Sequence, residues 1–332
     1  MSQGKVVCIT SGDSDGIGLE VSTKALFKIG PKKNIRFVLF YSARKICRTD
    51  ALLIKKLEIK FICKTFSSLD EALADKSIST QLLLVCCKSA PAYWVEESAY
   101  ACLVGKVAVL CTGPLSKPGI KQSGLQDLGH TEILKRICGV KNANMCFIGN
   151  SFNVVLASGH QALSKVPSLL NENNLRFAIK NADFMRSYLA PALREKPLGI
   201  LSLNPHAGDN GLIGDFEKNL LSPLLISLSK EGIKTSAPLV PDVAFHPSNW
   251  KRFSFYLALY HDQGLIPFKL IHGFNSGVHL TLGLPICRTS VDHGTAKDLY
   301  GKNQADPGSM NDALLWAIKL ARAGGWKGNT HV

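Results

Sequence analysis

Three apolar runs of this chain each close on a histidine: FNVVLASGH on His160, LGILSLNPH on His206 and FSFYLALYHDQG on His261. A fourth run, GVHLTLGLPICRTSVDHGTA, delivers Arg288, Asp292 and His293 in the same way. In an open α/β sheet, ligands bind in the crevice beyond the carboxyl ends of the strands. Imidazole is the commonest side-chain metal ligand. Separate strand runs that send such residues to one edge therefore point to a three-histidine metal site inside an α/β enzyme. The alternative is three hydrogen-bonded structural histidines, because the trio lacks the i, i+4 spacing of a helical zinc motif.

Other residues suit anions and proton transfer. GHTE places His130 and Thr131 at a predicted helix N-terminus, where unpaired backbone N–H groups favour negative charge. A Thr131 side-chain cap is the equal alternative. Lys269 supplies a compact ammonium and Arg288 a planar guanidinium, which suit phosphate and carboxylate; ordinary surface cations are the plain reading. Asp242, in LVPDVAFHP, is a candidate proton acceptor or orienter, against a simple turn aspartate. In LNPHAGDNGLIG, three glycines beside His206 would let backbone approach a ligand, or simply form an exposed loop. TSGDSDGIGLE follows a strand and opens a helix, yet its glycines are not spaced as G-x-G-x-x-G. Asp13 and Asp15 would also repel a pyrophosphate, so an ordinary strand-to-helix turn accounts for it equally well.

The elements that must position these residues alternate. KVVCIT (5–10), RFVLFYS (36–42), QLLLVCC (81–87) and KVAVLCT (106–112) read as strands buried on both faces. Amphipathic segments read as helices: GLEVSTKALFKIG closing at Gly30, the stretch between Ala90 and Gly105, 129–139 with Gly139 as C-cap, and 309–325 stopped by glycines. The tail WKGNTHV is expected to fray. Alternating strands and helices predict an α/β fold with mostly parallel sheet. The 332 residues suffice for two domains.

Composition narrows the function classes. Hydrophobic content of 46% and charged content of 19% are those of a folded globular chain. The sequence has no apolar run long enough for a membrane span, and its start lacks the pattern of a signal peptide. Ten scattered cysteines without a C-x-x-C pair predict reduced, mostly buried thiols and a cytoplasmic location. The net charge of +14 is concentrated between Lys28 and Lys64. A solvated basic face is preferred there over a nucleic-acid site, because no recognition motif accompanies it.

Taken in order, TGPLSK, GHTE, LNPHAG, YHDQG and TLGLPICRTSVDHGTA resemble the 4-hydroxythreonine-4-phosphate dehydrogenases of vitamin B6 biosynthesis, over almost the whole chain. The resemblance implies two α/β/α lobes with mostly parallel sheets, like isocitrate and isopropylmalate dehydrogenases. These are expected at 1–125 plus 285–332 and at 126–284. It implies a homodimer and NAD bound without the usual fingerprint. It implies a divalent metal, usually zinc, with Mg2+ or Co2+ as alternatives, on His160, His206 and His261. It also implies that His130, Thr131, Lys269 and Arg288 bind a phosphorylated amino acid. Two departures bear on the substrate. The first turn of the family resembles TPGDPAGIGPE, where this chain has Ser11, Ser14, Asp15 and Leu19. His279 stands where the family generally places a substrate-binding asparagine. The expected reaction is metal-dependent NAD oxidation of 4-phosphohydroxy-L-threonine with loss of carbon dioxide. The alternatives are a dehydrogenase of a phosphorylated sugar acid or of an aromatic cis-diol carboxylate, and a noncatalytic basic nucleic-acid-binding protein.

Overall fold

Aliphatic and β-branched runs with no polar interruption bury both faces of a strand, and such runs build this fold. The computed structural model describes residues 5–44, 46–77, 79–273, 276–324 and 326. The tail from 327 onward lies outside the described residues. The strands are β1 Lys5–Thr10, β2 Ile35–Ser42, β3 Cys63–Phe66, β4 Leu82–Cys87, β5 Val109–Thr112, β6 Asn144–Ile148, β7 Asn153–Leu156, β8 Gly199–Ile200, β9 Tyr256–Ala258, β10 Val278–Leu282 and β11 Arg288–Ser290.

The chain divides into two compact units. The first takes segments Met1–Asn142, Phe274–His279 and Leu284–Gly328; the second takes Ala143–Gly273 and Leu280–Gly283. This differs from the expected break after residue 125. The helix His130–Cys138 stays with the first unit, where it packs against the helix Pro91–Leu103 and Arg136 pairs with Glu96 at 2.5 Å. His130 and Thr131 therefore belong to the first unit.

In the first unit the strand order is β3-β4-β2-β1-β5-β11, and every one of these pairings is parallel. β2 pairs with β1 from Ile35 opposite Lys5 to Phe40 opposite Thr10. The core holds Cys8, Val38, Phe40, Leu83, Val85 and Trp94, with the rings of Phe40 and Trp94 stacked at 5.9 Å. Trp94 also donates its indole N–H to Ser89 Oγ at 3.0 Å, which satisfies its one polar atom. The helices Gly18–Ile29, Pro91–Leu103 and Gly308–Arg322 fall where the apolar spacing places them. Gly30 and Gly139 end their helices at φ +66 each, a conformation that favours glycine.

The basic segment is partly internal to the fold. The buried Arg36 donates to Asp75 Oδ2 at 3.0 Å, and Lys64 pairs with the other oxygen of the same carboxylate at 2.9 Å. Lys60 lies 4.3 Å above the ring of Phe27. All ten cysteines are free of disulfides. No described helix is long and apolar enough to cross a membrane.

The second unit has the order β6-β7-β9-β8. β7–β9 and β8–β9 are parallel, while β6 and β7 form an antiparallel pair. Its core gathers Phe147, Phe152, Val154, Leu156, Tyr256 and Phe268.

Candidate functional site

The glycines of the first turn serve packing of backbone on backbone. Gly12 has φ +81, and a Cβ there would stand 2.0 Å from the carbonyl oxygen of Pro114. A Cβ on Gly18 would stand 1.7 Å from the Ser11 oxygen. The buried Asp13 carboxylate accepts from the Ser116 hydroxyl at 2.5 Å and backbone N–H at 3.3 Å. Lys297 reaches the same Asp13 oxygen at 3.4 Å and Asp15 at 2.9 Å. The turn is thus tied to the TGPLSK loop and to the segment after DHGTA.

In the second unit the three histidine-bearing segments are cross-linked by hydrogen bonds. β7 ends at Leu156, and Ser158 then donates its hydroxyl to the Leu259 carbonyl at 2.8 Å. Gln263, buried, accepts from the Leu259 N–H and donates to the Ser202 carbonyl, both at 2.7 Å. These bonds fix the chain just before His160, His261 and His206. The rings of His160 and His261 come together with centroids 4.8 Å apart. His261 is the first residue of the helix His261–His272 rather than a loop residue. Its Nδ1 faces Asp262 Oδ1 at 2.7 Å. A carboxylate on one ring nitrogen leaves the other as the ligating atom, an arrangement typical of metal-bound imidazole.

His206 is exposed on a loop, Pro205–Gly211, in which His206 to Asn210 all have positive φ. Non-glycine residues in that region cost free energy and persist where surroundings hold them. The chain that leads into them is pinned by the buried Glu217. Its carboxylate accepts from Leu203 N at 2.7 Å, Asn204 N at 2.9 Å and Asn204 Nδ2 at 2.8 Å. Among the described residues no group of three His, Cys, Asp or Glu side chains is close enough to hold a metal ion. The structure therefore brings His160 and His261 together and does not add His206 to them. The donors fit a borderline divalent ion in kind: two adjacent imidazoles, one backed by a carboxylate. Asp242 is exposed in the first turn of the helix Pro241–Ala244, and its carboxylate has no hydrogen-bond or ion-pair partner among the described residues. Lys269 is half-buried in the last turn of the helix His261–His272.

The first unit holds the other cluster. Arg288 is the first residue of β11, so it lies at the strand's start and only Asp292 and His293 follow its end. Its side chain is 2% exposed. Nε and Nη2 donate to Thr112 Oγ1 at 3.0 and 2.7 Å, and Nη1 lies 3.3 Å from His279 Nδ1. Burial pushes the guanidinium pKa down to about 10. His130 opens its helix behind Gly129, which offers no side-chain cap. Thr131 follows inside the first turn, so the capping alternative does not hold. The His130 Nε2 is buried without a hydrogen-bond partner among the described residues. Burial, and then the Arg288 charge, lower the His130 pKa to about 3. A neutral imidazole, a buried guanidinium and an uncapped helix start are each groups whose chemistry favours an anion. Sequence reading contained Thr112 within TGPLSK and Gln263 within YHDQG but gave neither a role, and it missed Glu217.

A family model described as "Pyridoxal phosphate biosynthetic protein PdxA" matches residues 58–317. A 4-hydroxythreonine-4-phosphate dehydrogenase from Sulfurihydrogenibium sp. (strain YO3AOP1) is 36% identical, over 95% of this chain and 98% of its own length. A D-threonate 4-phosphate dehydrogenase from Pectobacterium atrosepticum is 31% identical, over 96% and 99%. The crystal structure of a 4-hydroxythreonine-4-phosphate dehydrogenase from Klebsiella pneumoniae superposes with a TM-score of 0.74 at 27% identity, covering 96% of this chain and 100% of that one. An isocitrate dehydrogenase from Methylococcus capsulatus shares the fold at a TM-score of 0.51 and 14% identity, over 96% of this chain and 88% of that one.

Proposed function

Because the chain belongs to the pyridoxal phosphate biosynthetic protein PdxA family, a family of dehydrogenases, we propose that it oxidises 4-phosphohydroxy-L-threonine with NAD in the cytoplasm. The product is 2-amino-3-oxo-4-phosphooxybutanoate, which loses carbon dioxide to give 3-amino-2-oxopropyl phosphate. The observation that carries this reading is Arg288: a guanidinium 2% exposed, held on Thr112 and His279, with a neutral His130 near enough to feel its charge.

Each group of residues has its part. Arg288, His130, Thr131, His279 and Lys269 bind and orient the phosphorylated substrate. Desolvation strengthens the hydrogen bonds that Arg288 can give to an anion. His130 stays uncharged at neutral pH, so it donates a hydrogen bond without adding a second buried cation. His160 and His261, whose rings lie 4.8 Å apart, would hold a divalent ion, zinc first among the candidates, with His206 as the third ligand that the family resemblance implies. When bound, the ion and NAD would supply acidification of an alcohol, polarisation of a ketone and acceptance of hydride. Asp262 orients the His261 ring through Nδ1. Asp242 accepts or orients the proton released from the substrate hydroxyl. The active form is a homodimer.

The test is selective loss of the phosphorylated substrate. Lys269→Ala and Arg288→Ala should raise KM for 4-phosphohydroxy-L-threonine far more than for its non-phosphorylated analogue. Equal weakening of both would reject a phosphate-reading role. A second reading, a phosphorylated sugar acid as substrate, is favoured by two observations. His279 replaces the expected asparagine, and a relative of 31% identity is a D-threonate 4-phosphate dehydrogenase. NADH formation across a panel of both substrates separates the two.

A further inference from the structure

We propose that Thr112 is a positioning residue for Arg288, and that the chain Thr112–Arg288–His279 presents His279 as a neutral Nε2–H donor. The inference rests on the anion-binding role given above to Arg288 and His279.

The argument is an accounting of donors and acceptors. A threonine hydroxyl has one proton and two lone pairs. Thr112 Oγ1 uses its proton on Ser290 Oγ at 3.0 Å. Its two lone pairs take Arg288 Nε at 3.0 Å and Nη2 at 2.7 Å. Ser290 Oγ in turn donates to the Thr112 carbonyl at 3.2 Å. Thr112 is fully buried, Arg288 is 2% exposed and Ser290 is 4% exposed, so water does not replace these bonds. β5 and β11 fix the register, with Thr112 opposite Ser290 and Arg288 opposite Leu110. The guanidinium plane is thereby set by one hydroxyl on a rigid strand pair.

That placement has a consequence for His279. Arginine has no acceptor. The 3.3 Å approach of Nη1 to His279 Nδ1 therefore requires Nδ1 to be the acceptor. The ring proton must then sit on Nε2. A neutral imidazole with Nε2–H offers an uncharged N–H donor beside an acceptor nitrogen, and a side-chain amide likewise pairs uncharged N–H donors with an acceptor oxygen. This explains how a histidine can stand at a position that reads an anion without adding a second cation beside Arg288. Protonation of Nδ1 would set two donors against each other.

The test uses the intact protein and inorganic phosphate as probe, so it does not depend on turnover. Two-bond 1H–15N spectra of the histidines at neutral pH should show His279 as the Nε2–H tautomer. His279→Asn identifies its resonance. Thr112→Val removes both acceptors while keeping the shape, and Thr112→Ser keeps the hydroxyl. The valine variant should weaken phosphate binding on the order of tenfold, equivalent to about 1.4 kcal/mol, and should lose the His279 tautomer pattern. The serine variant should restore both. Unchanged phosphate affinity in a folded Thr112→Val protein, or an imidazolium or Nδ1–H form of His279 in the unmodified protein, overturns the proposal. If Thr112→Val does not fold, the spectrum of the unmodified protein and the His279→Asn affinity still decide it. Asparagine should bind phosphate within about twofold of histidine, under 0.5 kcal/mol, and a larger loss counts against the amide-like donor. Normal phosphate binding without NADH formation from any phosphorylated substrate would overturn the dehydrogenase reading and leave this one standing.

Discussion

Protonation of the unfolded chain at His130 should destabilise the protein as pH falls. The ordinary imidazole value is 6.5, and burial with the Arg288 charge lowers it to about 3 in the fold. The folded value is the lower one, so the unfolded state binds the extra proton between these two limits. Stability is fully present above 6.5 and is lost as pH falls toward 3. At pH 5 the unfolded imidazole is protonated about thirtyfold over its neutral form. That corresponds to about 2 kcal/mol of lost stability, an upper value because the ring is only half-buried. His130→Gln keeps a neutral polar side chain and removes the titration. Urea unfolding followed by tryptophan fluorescence at pH 7 and pH 5 measures the effect in both proteins. The unmodified protein should lose up to about 2 kcal/mol more than the variant over this interval. His272, whose pKa burial also lowers, is present in both and drops out of the difference. Equal losses in the two proteins would refute a neutral, desolvated His130, and with it the claim that one cation alone faces the anion.

Two further outcomes concern the second unit. His206→Ala should lower bound zinc, read by elemental analysis, while far-UV circular dichroism is unchanged; full occupancy in that variant would remove His206 from the ligands. Asp242→Asn with normal metal content should slow NADH formation by at least about a hundredfold, the lower range for loss of a general base, and unchanged turnover would remove Asp242 from the reaction.

The strands and helices were legible because their pattern is local. β1, β2 and β4 carry continuous apolar stretches at 6–9, 37–41 and 82–87, and Gly30 and Gly139 mark helix ends by a backbone geometry glycine adopts readily. The sites were legible only in part. His160 and His261 do meet, but that follows from bonds of Ser158 and Gln263 to distant carbonyls, which no spacing encodes. The helical start at His261 was hidden because YHDQG carries no Ser, Thr, Asp or Asn at the cap position; Tyr260 stands there. The boundary after residue 142 reflects packing of the helix His130–Cys138 on Pro91–Leu103, about 40 residues earlier in the chain, which the Arg136–Glu96 ion pair accompanies. Thr112 stood in the TGPLSK motif, but its role was hidden because its partners, Arg288 and Ser290, lie more than 170 positions away.

The most direct measurement of the account is NADH absorbance from the zinc-loaded protein given NAD and 4-phosphohydroxy-L-threonine. We predict NADH formation that is abolished by removing the phosphate from the substrate or the metal from the protein. A folded, metal-loaded protein that forms no NADH from this compound or from D-threonate 4-phosphate would contradict it.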